Sequence, residues 1–400
     1  MNNPSSSVFL SPSSVLPSSD VAVVGAGIVG LAVAYHAAKQ GKSVQVFERN
    51  DYAVGASVRN FGLLWPIGQP GGSLLQRALR SREIWQELAE RANFGLQNHG
   101  SLHLAYHADE QVVMEEFLSQ AEEGYQCQWL SPDEVQRKSP AVKADGLLGG
   151  LFSATECTVD PREAIRKIPA YLTETYGVQF HFRSAVQSVD GGTITVGKKQ
   201  YRADHTYVCS GADFETLFPE EFVRHSITKC KLQMMRTTPQ PHGWQLGPTL
   251  CGGLTLRHYT AFQQCPSLRA LSERYDQQQP LFKQWGIHVM VTQNHFGELV
   301  IGDSHEYGLT HEPFNRDDID QLILNYLATF ANLPDNTIAQ RWQGIYPKLP
   351  DKTEVVLRPS DQVTIVNALG GAGMTLSFGL AEELIAGTYH HEPLGTDQKT

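Results

Sequence analysis

An α/β fold, with a discontinuous nucleotide-binding domain and an antiparallel-sheet domain inserted into it, is predicted by three features of this 400-residue chain. A βαβ pattern with three spaced glycines occupies residues 20–48, and a β-rich stretch runs from about 225 to 340. The third is an apolar strand near the C-terminus, VTIVNALGG, which runs into a second glycine-rich helix start, 370-GGAGMTLSFGLAEEL-384. The length allows two intimately joined domains and a large core.

Taken in order, residues 1–19 are rich in Ser, Pro and Asn and carry no Lys or Arg. They read as a disordered leader rather than a secretory or transit segment. In 20-DVAVVGAGIVGLAVAYHAAKQGKSVQVFE-48 an apolar strand ends at Gly25, a helical pattern runs to Gln40, Gly41 turns the chain, and SVQVF resumes as a strand. Gly25 permits the tight turn, Gly27 lets backbone approach a pyrophosphate, and Gly30 lets helix pack on strand. The helix start, from Gly25, Ala26 and Gly27 through Ile28, Val29 and Gly30, presents free N–H groups to an anion. Glu48, eighteen residues after Gly30, ends the second strand where a carboxylate accepts hydrogen bonds from ribose, with Arg49 beside it. Strand, helix, turn, second strand and acid together indicate a dinucleotide.

Farther along, 73-SLLQRALRSREIWQELAERAN-93 has helical spacing of Leu75, Leu79, Ile84, Trp85 and Leu88, and SLHLAYH follows as a strand. DEQVVMEEFLSQAEEG, from 109 to 124, has an acidic start and a glycine stop, which suit a helix. Between Gly177 and Asp213 the segments VQFHFRSAVQSV, TITV, QYR and HTYVCSGAD read as strands joined by DGG and GKKQ turns. One clear helix, 315–332, interrupts the later β-rich region. The domains expected are therefore a leader (1–19), a nucleotide domain (20–71, 145–218 and 335–390), a substrate domain (72–144 and 219–334) and a flexible tail (391–400).

Net charge is −10 with Lys and Arg scattered, which argues against nucleic acid or an anionic membrane surface as partner. Any anionic substrate needs a local positive pocket. No uncharged apolar run approaches the roughly 18 residues that a membrane span requires. The six cysteines, Cys127, Cys157, Cys209, Cys230, Cys251 and Cys265, form no CxxC pair, and neither they nor the histidines show metal-ligand spacing. Reduced thiols, a cytoplasmic location and no metal are the expectation.

NAD and FAD share the glycine fingerprint. The spacing from Glu48 to Gly55, Ala56 and Ser57 resembles the extended fingerprint of the large flavoprotein group that includes glutathione reductase, and so favours FAD. Ala56 and Ser57 then lie against the pyrophosphate and ribityl chain.

Several ordered motifs carry a wider resemblance: the N-terminal βαβ unit, VDPREA (159–164), YVCSGAD (207–213), WQGIYPKLPD (342–351) and the C-terminal glycine helix. Together they resemble the superfamily of D-amino acid oxidase, glycine oxidase and sarcosine oxidase. That resemblance implies a GR2-type, Rossmann-like FAD domain with an antiparallel sheet roofing the flavin. It implies that Val186 meets the adenine, that Ser210 and Gly211 pass close to the cofactor, and that Gly371, Ala372, Gly373, Met374 and Thr375 point a helix N-terminus at the flavin. It also implies a small amine as substrate, hydride transfer to flavin and reoxidation by O2.

Departures from the family pattern refine the reading. Sarcosine oxidases attach flavin through a cysteine where this chain has Gly344, so FAD is expected to be non-covalent. The arginine that clamps a carboxylate in D-amino acid and glycine oxidases is matched by Tyr346, and the lysine of sarcosine oxidases by Thr375. A carboxylate bound in the usual way would lack its cation, and a buried anion without donors is costly. Two stretches, ASVRNFGLLWPIGQPGG (56–72) and LVIGDSHEYG (299–308), resemble a subgroup associated with aminophosphonate breakdown. The expected activity is oxidation of 2-aminoethylphosphonate or its N-methyl form to phosphonoacetaldehyde, amine and H2O2. Alternatives are a sarcosine, N-methyl amino acid or glycine oxidase or dehydrogenase, and a flavin-binding subunit that passes electrons to a partner. Candidate substrate contacts are Arg59, Asn60, Arg257, His258, Tyr259, His305, Tyr346 and Thr375.

Overall fold

Two large sheets, of eight and nine strands, and a small sheet of three make up the strand framework. A computed structural model describes residues 16–350 and 352–390. The tail from 391 and most of the leader lie outside the described residues. Ser18 and Ser19, assigned above to the leader, already pair in a strand with Arg202 and Ala203.

The first sheet has eight strands. At its centre Val363–Asn367, Lys199–Val208, Ser18–Val24, Val44–Phe47 and Gln179–His181 run parallel. Helices cover it, so Val44–Phe47 is buried at every position, as a parallel strand with both faces covered requires. The helix Ile28–Lys39 is apolar nearly all round because it lies between the sheet and the helix Gly373–Ala386. An edge hairpin, Ser188–Asp190 with Thr193–Val196, turns through Gly191 and Gly192 at positive φ. VQFHFRSAVQSV is not one strand: it splits into Gln179–His181 and Ser188–Asp190, and Val186 stands in the connection between them.

The second sheet has nine strands, with Thr228–Pro239 paired along its length to Ile338–Lys348. It is antiparallel except where Thr249–Cys251 runs parallel to Ser101–Ala105. These pairings move three segment boundaries. The helix Ser73–Arg91 belongs with the nucleotide core, where Trp85 packs edge-on to Phe378 at 5.2 Å and donates its indole N–H to the Met374 carbonyl at 2.8 Å. Gly149–Ser153 and Ile338–Lys348, assigned above to the nucleotide domain, are strands of the second sheet. Two tandem rules fix the VDPREA helix, Pro161–Tyr176: Asp160 caps it by accepting the Arg162 N–H at 2.8 Å, and Pro161 opens it with its fixed φ.

All six cysteines are unpaired. Among the described residues no helix is long and apolar enough to cross a membrane.

One core residue makes stability depend on pH. His103 is fully buried beside Trp65 and Phe262, and neither ring nitrogen has a hydrogen-bond partner. Burial pushes its pKa down to about 3. The unfolded chain takes up this proton near 6.5 while the folded chain refuses it until about 3, so stability is intact above 6.5 and is lost as pH falls through that window. At pH 5 the loss is about 2 kcal/mol. His103→Phe should remove that slope. Urea unfolding of both proteins at pH 7.5 and 5.0 checks it, and identical pH dependence would refute the assignment.

Candidate functional site

Glycine geometry builds the nucleotide end. Gly25 sits at φ +99°, and a Cβ there would lie 2.4 Å from the Cys209 carbonyl oxygen of the neighbouring strand. A Cβ on Gly30 would come 1.9 Å from the Gly25 oxygen. Turn and helix are thus in backbone contact, and Gly27, at the helix start, offers no side-chain cap. The Ser57 hydroxyl closes over this turn, accepting the Ile28 N–H at 2.9 Å. Glu48 is buried, one oxygen accepting from the Ala26 N–H at 3.1 Å and the other from the Asn50 N–H at 3.0 Å. Arg49 is held by Asp213 at 2.8 Å.

From here a cavity of about 840 Å³ runs between the sheets. Its walls include Gly25, Gly27, Glu48, Ser57, Val186, Ser210 and Gly211 at one end. Gly371, Gly373 and Met374, at the start of the second glycine-rich helix, line it farther on. This is a cradle a dinucleotide fits: close-approach glycines, free helix N–H groups and a carboxylate at the second strand end. Ala26, Gly30 and Ala372 do not line the cavity; Ala26 holds Glu48 and Gly30 serves packing.

The cavity is also lined by Tyr346, in a strand of the second sheet, by His258, Tyr259 and His305, in connections of that sheet, and by Arg59 and Asn60. The structure also brings in His288, Met290 and Asp303. The three imidazoles pile together, with ring centroids 3.9 Å apart for His258 and His288 and 4.6 Å for His258 and His305. Asp303 lies under them, one oxygen 3.0 Å from His288 Nε2 and the other 4.0 Å from His305 Nε2. The closer contact is misaligned for a hydrogen bond, and that oxygen and His288 Nδ1 are both buried without one. His305 Nδ1 is 2.9 Å from the Gly286 carbonyl.

His258 is exposed at the cavity wall, and desolvation by the protein packed around it lowers its pKa below the ordinary value, with His288, His305 and the Lys348 ammonium adding to the effect. His305 is lowered by burial, partly offset by Asp303. Both imidazoles are therefore neutral at pH 7. Burial raises Tyr259 and Tyr346 well above the usual phenol value, so both stay protonated. Asn60 has both side-chain ends committed to backbone, donating to the Ala56 carbonyl at 2.9 Å and accepting from the Gly62 N–H at 2.7 Å, so it shapes the loop that carries Arg59.

Two candidates are not in the site. Arg257 is off the cavity in an ion pair with Asp276 at 2.7 Å. Thr375 is also off it; its hydroxyl accepts the Trp65 N–H at 2.9 Å, tying the second glycine helix to a loop of the first domain. Three further residues, His288, Met290 and Asp303, line the cavity without standing among the sequence candidates. His288 and Met290 lie two apart at the mouth of the strand Met290–Gln293 and so share a face, and that alternation was readable. Asp303 stood within the quoted LVIGDSHEYG, but only the folded sheet puts it beneath His288.

Gly344 offers no thiol, and a Cβ at that position would lie 2.8 Å from the Arg59 carbonyl oxygen. Acid precipitation should accordingly leave all flavin in the supernatant. A yellow pellet whose absorbance survives washing would contradict this.

The sequence profile of a family described as FAD dependent oxidoreductase (DAO) matches residues 20–386. The glycine oxidase of Bacillus licheniformis is 23% identical over 363 residues, 88% of this chain and 87% of that protein. Monomeric sarcosine oxidase of Bacillus sp. (strain B-0618) is 26% identical over 202 residues, 48% of this chain and 51% of that protein. The crystal structure of glycine oxidase from Geobacillus kaustophilus superposes with a TM-score of 0.74 at 20% identity, covering 94% of this chain and 97% of that one.

Proposed function

The chain belongs to the FAD dependent oxidoreductase (DAO) family, and from that premise we propose that it oxidises a small aminophosphonate, with O2 as electron acceptor. N-methyl-2-aminoethylphosphonate or 2-aminoethylphosphonate, with O2 and water, would yield phosphonoacetaldehyde, the amine and H2O2. The CH–NH unit of the amine loses two electrons and two protons as C=N forms, O2 takes them up as H2O2, and water then cleaves the C=N. Bound FAD supplies the hydride acceptor; the chain's own residues orient the amine, exclude water and handle its proton.

One observation carries the phosphonate reading. The positions that match the family's cationic anchors hold Tyr346, neutral in the wall, and Thr375, turned away, while three imidazoles crowd one end of the cavity. Spread donors suit the three oxygens of a tetrahedral anion better than a planar carboxylate. Asp303, with His288 at 3.0 Å, is placed to draw in the substrate ammonium and take its proton. The six unpaired cysteines agree with a cytoplasmic location. A second reading, oxidation of glycine or sarcosine, is favoured by the near full-length likeness to glycine oxidase.

Turnover of the four amines separates the two. The two aminophosphonates should exceed sarcosine and glycine in kcat/KM by at least about tenfold, about 1.4 kcal/mol in transition-state binding. Clear preference for glycine or sarcosine would decide for the second reading. Anaerobic bleaching by the amine, followed by peroxide formation in air, distinguishes an oxidase from an electron-passing subunit.

A further inference from the structure

A second cavity, of about 600 Å³, adjoins the first, and Arg59, Asn60 and Phe61 form a wall common to both. Five arginines line it: Arg59, Arg162, Arg166, Arg236 and Arg341. Their charge is only partly met. Arg162 is clamped between Asp160 and Glu298, 2.5 Å from each, and Arg341 reaches Asp320 at 3.0 Å. Arg236 donates from Nη2 to the Gln340 side-chain oxygen and lies over the Trp342 ring, but its one carboxylate contact is a share of Glu298 at 3.5 Å, and its Nε is buried with no hydrogen-bond partner. Burial and the neighbouring Arg162 push the Arg236 pKa below its ordinary value. Arg59 donates to the Gln343 carbonyl at 3.4 Å and Arg166 lies over the Tyr52 ring at 4.1 Å; neither has a carboxylate partner among the described residues.

A concave group of guanidinium forks, two without an acid and a third buried with an unmet donor, is an unfilled demand for an anion. The chain as a whole carries −10, so a multiply charged anion is repelled except where charge is locally reversed. We propose that this pocket binds a phosphate or phosphonate oxyanion at the doorway of the cofactor cavity, with Arg59 standing between the two spaces. Three guanidinium groups with unmet donors, Arg59, Arg166 and Arg236, suit a tetrahedral dianion, and a monovalent carboxylate meets only one fork. The proposal holds whichever amine is oxidised.

Calorimetric titration of the FAD-loaded enzyme at low salt tests it, with inorganic phosphate and methylphosphonate as probes and acetate as control. Phosphate and methylphosphonate should bind one per chain, acetate at least tenfold more weakly. R166Q/R341Q, which changes two exposed side chains, should weaken phosphate at least tenfold while the flavin spectrum stays that of the parent; Arg236→Gln should do the same. Absence of saturable phosphate binding to the parent overturns the proposal, as does undiminished binding in both variants. Steady-state kinetics then identify the source of the anion. If phosphate competes with a phosphonate amine in the parent but not in R166Q/R341Q, the pocket receives the substrate headgroup; if phosphate binds there without altering turnover, it is a site for free phosphate. Loss of the phosphonate preference with phosphate binding intact would remove the proposed substrate and leave this site standing.

Discussion

Gly25→Ala is expected to abolish FAD retention and to destabilise the apoprotein by about 3 kcal/mol. Two costs add. An alanine at φ +99° suffers the penalty of positive φ, about 1–2 kcal/mol. Its methyl would also stand 2.4 Å from the Cys209 carbonyl oxygen, and relieving such overpacking costs about 1–3 kcal/mol more. The atom in the way is backbone of the adjoining parallel strand, so the turn moves, and the amides aimed at the pyrophosphate move with it. Gly41→Ala is the control: φ is +80° but nothing lies within 4 Å of the new methyl, so only the first cost applies. Urea unfolding gives the two stabilities, and quenching of FAD fluorescence gives the affinities. A Gly25→Ala protein that binds FAD as the parent does would refute the cradle assignment.

How much of this was legible in the sequence follows from whether a signal was local. The fingerprint glycines, Glu48 and Ser57 sit at spacings set by one βαβ unit and the loop after it, and the cavity wall includes Gly25, Gly27, Glu48 and Ser57. The capped start of the Pro161–Tyr176 helix and the hairpin at Gly191–Gly192 were likewise written in a few adjacent residues. Misassignments arose where sheet membership decides. Strand Ile338–Lys348 precedes the C-terminal nucleotide segment in the chain, yet it pairs with Thr228–Pro239 for its whole length. The same limit applies to the substrate end. His258 and His288 stand thirty residues apart in the long connection between Thr249–Cys251 and Met290–Gln293, and His305 stands in a later one, so no spacing rule announces the cluster, and Arg257, the neighbour of His258, pairs with Asp276 instead.

Asp303→Asn should lower kcat/KM for the amine by about 10²–10³ at pH 7.5, with the deficit shrinking as pH rises. Asp303 is 4% exposed and touches only His288 and His305 among the charged partners of the described residues. A buried carboxylate without a lysine or arginine is costly, and a substrate ammonium would relieve it. Hydride loss from the α-carbon needs the neutral amine, so on the proposed reading the proton drawn in with the substrate would pass to the Asp303–His288 pair. Without that carboxylate only the amine already neutral in solution is productive. For an alkylamine with pKa near that of lysine, about 10.4, this fraction is on the order of 10⁻³ at pH 7.5 and grows tenfold per pH unit. The variant's kcat/KM should therefore rise with unit slope from pH 7 to 9.5, while the parent stays flatter. FAD content should remain that of the parent, because the contacts of Asp303 are with His288 and His305 and not with Glu48 or Ser57. A uniform loss at every pH would reveal a merely structural role for Asp303, and unchanged kinetics would remove it from the proton path.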